Sequence, residues 1–196
     1  GGVAILFGSP GAAMKRLLVC LLLVSVVGCG TNKKAIIEFK KGNHFVDRED
    51  WVTSIACCNA AIQLDPDYAR AYNKRGLAYD QLGQYGKAIA DCNRAIELAP
   101  TFAGAYSNRG ATYGDLGQYD KAIADCNRAI ELDPTFARAY NNRGTAYHNQ
   151  GEYDRAITDY THAIQLKPGF ASAYSNRGAT YGDLGQYDKA IADCNR

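Results

Sequence analysis

The sequence predicts an all-α protein, a solenoid of antiparallel helix pairs. Three observations lead there. The chain repeats itself at a spacing of 34 residues, each copy holds two apolar stripes at helical spacing, and glycine and proline punctuate the stripes at the same places in every copy. A period of this size marks a repeat architecture, in which one unit cannot bury its own apolar faces and the stack supplies the core.

The units follow in order. Residues 35–68 are a divergent first copy, in which Gly42, Phe45, Trp51, Ile55, Ala61 and Pro66 keep the spacing. Residues 69–102 read ARAYNKRGLAYDQLGQYGKAIADCNRAIELAPTF, and 103–136 and 137–170 repeat that text closely. Residues 171–196 restart the unit and differ from 103–128 only at Ser172, where the earlier copy has Gly104. In the second unit Tyr72, Gly76 and Tyr79 share one face of a first helix. Tyr85, Ala88, Ile89, Cys92, Ala95 and Ile96 share one face of a second. Gly83 can take the left-handed conformation that closes the first helix, and Pro100 blocks continuation of the second. Gly76 and Ala88 are expected where the paired helices cross closely, so residues 35–196 form one elongated domain.

The beginning of the chain reads as an address. Met14 is followed by Lys15 and Arg16, then by the apolar run LLVCLLLVSVV (17–27), then by Gly28 and Cys29. That is the form of a secretory signal, with an apolar run shorter than the ~20 residues that span a bilayer. Residues 1–13 read as translated sequence upstream of the start, 14–28 as the signal peptide and 29–34 as a short tether. Val26-Val27-Gly28-Cys29 resembles the lipobox of bacterial lipoproteins. The resemblance implies diacylglycerol on the Cys29 thiol and an anchor of two or more acyl chains. It also implies placement at the outer membrane facing the periplasm, because Gly30 stands where aspartate would retain the protein at the inner membrane.

The repeated text resembles the tetratricopeptide repeat. The signature of aromatic, Gly, Tyr, Ala, aromatic and Pro is met by Tyr72, Gly76, Tyr79, Ala88, Cys92 and Pro100, and equivalently in the next two copies. The resemblance implies a right-handed superhelix whose concave surface binds peptides or protein segments. The departure is Arg75, Arg109, Arg143 and Arg177 where the common pattern has leucine. Asp91, Asp125, Asp159 and Asp193 recur on the second helices of the same units, and the first unit changes both members, to Lys41 and Cys57. An Arg–Asp pair within or between units is expected, half-buried and structural; the alternative is an arginine lining a binding site.

The family's concave positions fall here on Arg70, Asn73, Lys74 and Leu77, then Ser107, Asn108 and Ala111. They continue with Arg138, Asn141, Asn142, Thr145 and His148, then Ser175, Asn176 and Ala179. Asn108, Asn142 and Asn176 form a row that resembles the asparagine ladder of the O-linked N-acetylglucosamine transferases. An amide can donate to and accept from a peptide backbone at once; the alternative is a row of solvated surface residues. The carboxylate clamp of co-chaperone repeats is met only in part, by Asn108 and Arg138. Asn73 stands where its first lysine belongs, Leu77 replaces its first asparagine and Asn142 its last arginine.

Composition limits the rest. With 47% apolar and 21% charged residues the chain is neither disordered nor collagenous. Setting aside Lys15 and Arg16, the remaining 20 basic residues balance 20 acidic ones, which argues against a nucleic-acid partner. The sequence contains no nucleophile–base motif, phosphate-cradling loop or zinc spacing, so no enzyme, metal or cofactor is expected beyond the lipid on Cys29. Cys58, Cys92, Cys126 and Cys194 share one repeat position and read as small buried hydrophobes. Neighbouring copies set about 10 Å apart exceed the ~7 Å reach of a disulfide. The expected function is an envelope-anchored scaffold that binds another protein or peptide. The other readings are the front of a longer enzyme and a soluble cytosolic adaptor. The incomplete last copy points either to further repeats beyond Arg196 or to self-association through an uncapped end.

Overall fold

The computed structural model describes residues 34–40 and 50–196. Cys29, the signal, Lys41 and Gly42 lie outside the described residues. Among those described there are ten helices and no strand. Helix α1 covers residues 34–40. It is followed by α2 (Trp51–Leu64), α3 (Ala69–Gln81), α4 (Tyr85–Leu98), α5 (Ala103–Asp115) and α6 (Tyr119–Leu132). The rest are α7 (Ala137–Asn149), α8 (Tyr153–Leu166), α9 (Ala171–Asp183) and α10 (Tyr187–Cys194). None of them is long and apolar enough to cross a membrane.

The glycines close the first helices as expected. Helix α3 ends in a Schellman turn: Gly83 N–H donates to the Asp80 carbonyl (2.8 Å), and Gln84 N–H to the Tyr79 carbonyl (2.8 Å). That turn needs a left-handed residue, and Gly83 supplies it with φ 69°. The same pair of bonds, with a glycine at the same place, closes α5, α7 and α9. Side-chain caps contribute little, since none of α3 to α10 has an N-cap side-chain bond. Helices of 13 or 14 residues are marginal alone in water, so packing holds these.

Packing follows the repeat. Within each unit the first helix lies against the second, and each second helix also meets the first helix of the next unit. First helices touch their counterparts as well (α3 with α5, α5 with α7, α7 with α9), whereas successive second helices do not pack comparably. A stack whose first helices crowd while its second helices splay must curve with the first helices inside. The crossing inside each unit is tight: a Cβ on Gly110 would sit 3.1 Å from the Ala122 carbonyl oxygen and 3.0 Å from Cys126 Sγ.

The expected buried column of thiols forms at Cys58, Cys92 and Cys126, each fully buried, with Cys57 buried beside it. Burial pushes the thiols of Cys58, Cys92 and Cys126 up to about 12, so they stay protonated and inert. No disulfide joins the described cysteines. Cys194, in the last helix described, is exposed. In unit four, where the sequence has tyrosine in place of the cysteine, Tyr160 fills the thiol's place at 1% exposure and packs on Tyr147, Ala156 and Ile123.

Two glycines of one helix separate close approach from conformational cost. Gly110→Ala should destabilise the protein by about 1–3 kcal/mol, since the carbonyl it meets belongs to backbone. Gly114→Ala meets nothing within 4 Å and should stabilise by about 0.5–1 kcal/mol through helix propensity. Urea unfolding of both variants measures the difference.

Candidate binding surface

The arginine row is where the units are joined. Arg109, on α5, donates through Nε and Nη2 to the two carboxylate oxygens of Asp125 on α6, at 2.7 Å each. Its Nη1 reaches the other way, to Asn93 Oδ1 on α4 of the preceding unit, at 2.6 Å. The arrangement recurs with Arg75, Asp91 and Asn59, and with Arg143, Asp159 and Asn127. Arg177 binds Asp193 in the same fork but finds Thr161 Oγ1 in place of an amide, at 2.9 Å. Each guanidinium therefore pins three helices drawn from two units. The aspartate side chains are 7–10% exposed and the arginines 16–21%. The fork to the carboxylate is the largest cause of the raised arginine pKa values, which hold these groups firmly in their charged form. The pair expected from sequence is thus present within units two to five, and its second arm joins neighbours.

The asparagine row faces its neighbours too. Asn108 Nδ2 donates to Asn73 Oδ1 one unit back, at 2.9 Å. Asn142 Nδ2 donates to the Ser107 carbonyl at 3.2 Å, and Asn176 Nδ2 to Asn141 Oδ1 at 3.1 Å. Asn108 and Asn141 are each 8% exposed. The structure therefore gathers Asn73, Asn108, Asn141, Asn142 and Asn176 along the inner layer as amide-linked partners. Asn108, Asn142 and Asn176 each donate to the preceding unit; Asn108 and Asn141 are buried, while Asn73, Asn142 and Asn176 are half-buried. Arg70 and Arg138, near the starts of α3 and α7, are exposed and have no hydrogen bond or ion pair among the described residues. Lys74 and Leu77 are half-buried. Those two arginines are the charged groups left at the starts of the first helices.

At the other ends of the first helices lie residues that the sequence reading did not single out. Asp80 is 8% exposed and Asp115 is exposed, on adjacent units. Burial pushes the Asp80 carboxyl above the usual carboxylate range. Burial and then the charge of Asp80 do the same to Asp115. The signal was available in the period: Asp80 holds the place that His148 holds two units later. Among the described residues no group of three or more His, Cys, Asp or Glu is placed to hold a metal.

The family model for the tetratricopeptide repeat matches residues 69–102, 103–136, 137–170 and 171–196, and a second repeat model matches 42–83. The chain belongs to the tetratricopeptide repeat family. Solved structures agree with its fold. The crystal structure of MamA is 30% identical, with a TM-score of 0.60, covering 79% of this chain and 90% of that one. The first tetratricopeptide domain of Spaghetti (RPAP3), bound to the HSP90 peptide SRMEEVD, is 26% identical with a TM-score of 0.55, covering 60% and 93%. A thermophilic tetratricopeptide protein of Thermus thermophilus matches at TM-score 0.77 and 18% identity, covering 81% and 87%, and bears on the fold alone. None of the curated proteins is similar enough to count as a relative.

Breaking one tetratricopeptide staple should expose its worth. Arg143→Leu restores the family's common residue but strands the buried Asp159, and should cost about 2–4 kcal/mol. Removing both charges, in Arg143→Leu with Asp159→Ala, should cost less than the single change. Urea titrations followed by circular dichroism compare the two.

Proposed function

We propose that the protein is a lipid-anchored adaptor of the cell envelope whose inner, first-helix surface holds a segment of a partner protein. The observation that carries the reading is the inner layer itself. Its helices pack closely enough to curve, amide links run along its floor from unit to unit, and exposed charge stands at its rims. With amide N–H groups of Asn108, Asn142 and Asn176 bonded between units, the exposed charges at the rims carry more of the specificity. The peptide held by the RPAP3 repeat domain supports a polypeptide ligand. The anchor rests on Lys15-Arg16, the apolar run 17–27 and the Gly28-Cys29 junction, and two or more acyl chains would make it durable. Adaptor work of this kind needs no reacting group.

Two measurements test the two halves separately. On an array of twelve-residue peptides, Arg138→Glu should weaken the bound set about tenfold, while Arg128→Glu on α6 should leave it unchanged. An unchanged set in Arg138→Glu would remove the groove reading. Radioactive palmitate should label the native chain in envelope-bearing cells and fail to label Cys29→Ala; an unlabelled native chain would remove the anchor.

A further inference from the structure

Two cations stand on the inner layer without a counter-ion. Arg70 is the second residue of α3 and Arg138 the second of α7; both are exposed, and neither has an ion pair among the described residues. Arg94, Arg128 and Arg155 differ, each meeting a glutamate one turn away. No acidic residue stands in the first turn of α3, α5, α7 or α9. The aspartates of the preceding loops face other groups: Asp65 accepts from the Asp67 N–H, Asp67 meets Arg94, and Asp133 accepts from Thr135. Asp80 is ten residues further along α3 than Arg70, about 15 Å away by the helical rise.

The register of the stack sets the two arginines along one line. Arg70 shares a helix face with Asn73, one turn on, and Arg138 shares one with Asn142. Asn73 accepts from Asn108, and Asn142 donates to the Ser107 carbonyl, so both faces look onto the inner layer from either side of α5. Between them unit three has Gly104 at the equivalent place. A chain running from one arginine to the other therefore crosses α5 where no side chain stands. Neighbouring units are set about 10 Å apart, so arginines two units apart are separated by about 20 Å. An extended chain rises about 3.3 Å per residue and covers that span in about six residues, an even number that puts both ends on one face.

We propose that the groove takes an extended acidic segment of a partner protein, with two carboxylate side chains about six residues apart, one on Arg70 and the other on Arg138. This deepens the groove reading and rests on it. A guanidinium receives a carboxylate through two parallel N–H bonds, which fixes the side chain's direction as well as its charge. One exposed pair of this kind contributes little. Two on the same chain reinforce each other, because the first contact holds the second carboxylate close to its arginine. Both contacts go to side chains within the segment and need no chain end. That separates the arrangement from the carboxylate clamp, three of whose residues are replaced at Asn73, Leu77 and Asn142.

The test measures spacing and sign together. The full chain is titrated at low ionic strength with fluorescent twelve-residue peptides of serine and threonine. They carry two glutamates six residues apart, two glutamates three residues apart, a single glutamate, or two lysines six residues apart. The first should bind about tenfold more tightly than the single-glutamate peptide. The peptide with glutamates three residues apart should match the single-glutamate one, and the lysine peptide should not bind. Arg70→Gln and Arg138→Gln, both at exposed positions, should each bring the first peptide down to the single-glutamate level, with helical circular dichroism unchanged. Equal binding at the two spacings, no gain from the second glutamate, an unaltered affinity in Arg70→Gln, or equally tight binding of oligothymidylate would overturn the proposal. An array that captures uncharged peptides with no preference for these would overturn it and leave the groove reading standing. A silent array removes both, so the two failures are distinguishable.

Discussion

The stack depends on one guanidinium in each unit from the second onward, held between two second helices. A tetratricopeptide unit buries its apolar stripes only against its neighbours, and apolar contact by itself is tolerant of slip. The forked bonds of Arg75, Arg109 and Arg143 to an aspartate sixteen residues ahead, with a third bond to an asparagine sixteen residues behind, fix the register of that contact. A planar group with bonds in two directions admits one relative placement of three helices. The arginine also lies over the tyrosine ring one turn earlier on its own helix, 5.4–5.7 Å from the ring centre, so its stem and face are packed as well.

The inner surface inherits its character from that register. Because first helices are drawn close, the amides of Asn108, Asn142 and Asn176 reach back one unit and are consumed there. The concave floor therefore carries amide links from each unit to the one before it. Exposed charge stands at the two rims, Arg70 and Arg138 at one and Asp115 at the other. A long, curved surface with a quiet floor and opposite rims suits an extended chain better than a small molecule. The shallow hollows at the interhelix turns, such as the one lined by Gly117, Tyr119, Lys121 and Gln150, do not form enclosed cavities.

The copies are not interchangeable. Unit four trades the buried thiol for Tyr160, whose ring comes so near Gly144 that a Cβ there would sit 2.9 Å from it. It also trades the asparagine that receives the next arginine for Thr161, and it brings His148 to the following junction. One joint of the stack is thus bound by different chemistry from the others, while the fold is the same. Individual junctions can vary in this way because stability in such arrays is a sum of local terms.

The 34-residue period, the glycine at each turn and the proline after each second helix were enough to determine the helix pairs, where the first helices stop and the close crossing at Gly76 and Ala88. These are local facts, set by backbone conformation and by the absence of a side chain. The covarying Arg and Asp also announced a pair from sequence, because charges introduced together on a packed face must meet. Only the tertiary structure decided the arginine's third bond, to Asn59, Asn93 and Asn127. It likewise decided the bonds that Asn108, Asn142 and Asn176 make to the preceding unit. Each of these joins residues of different units, and the distance between two units is set by how whole helices stack, which no single repeat encodes.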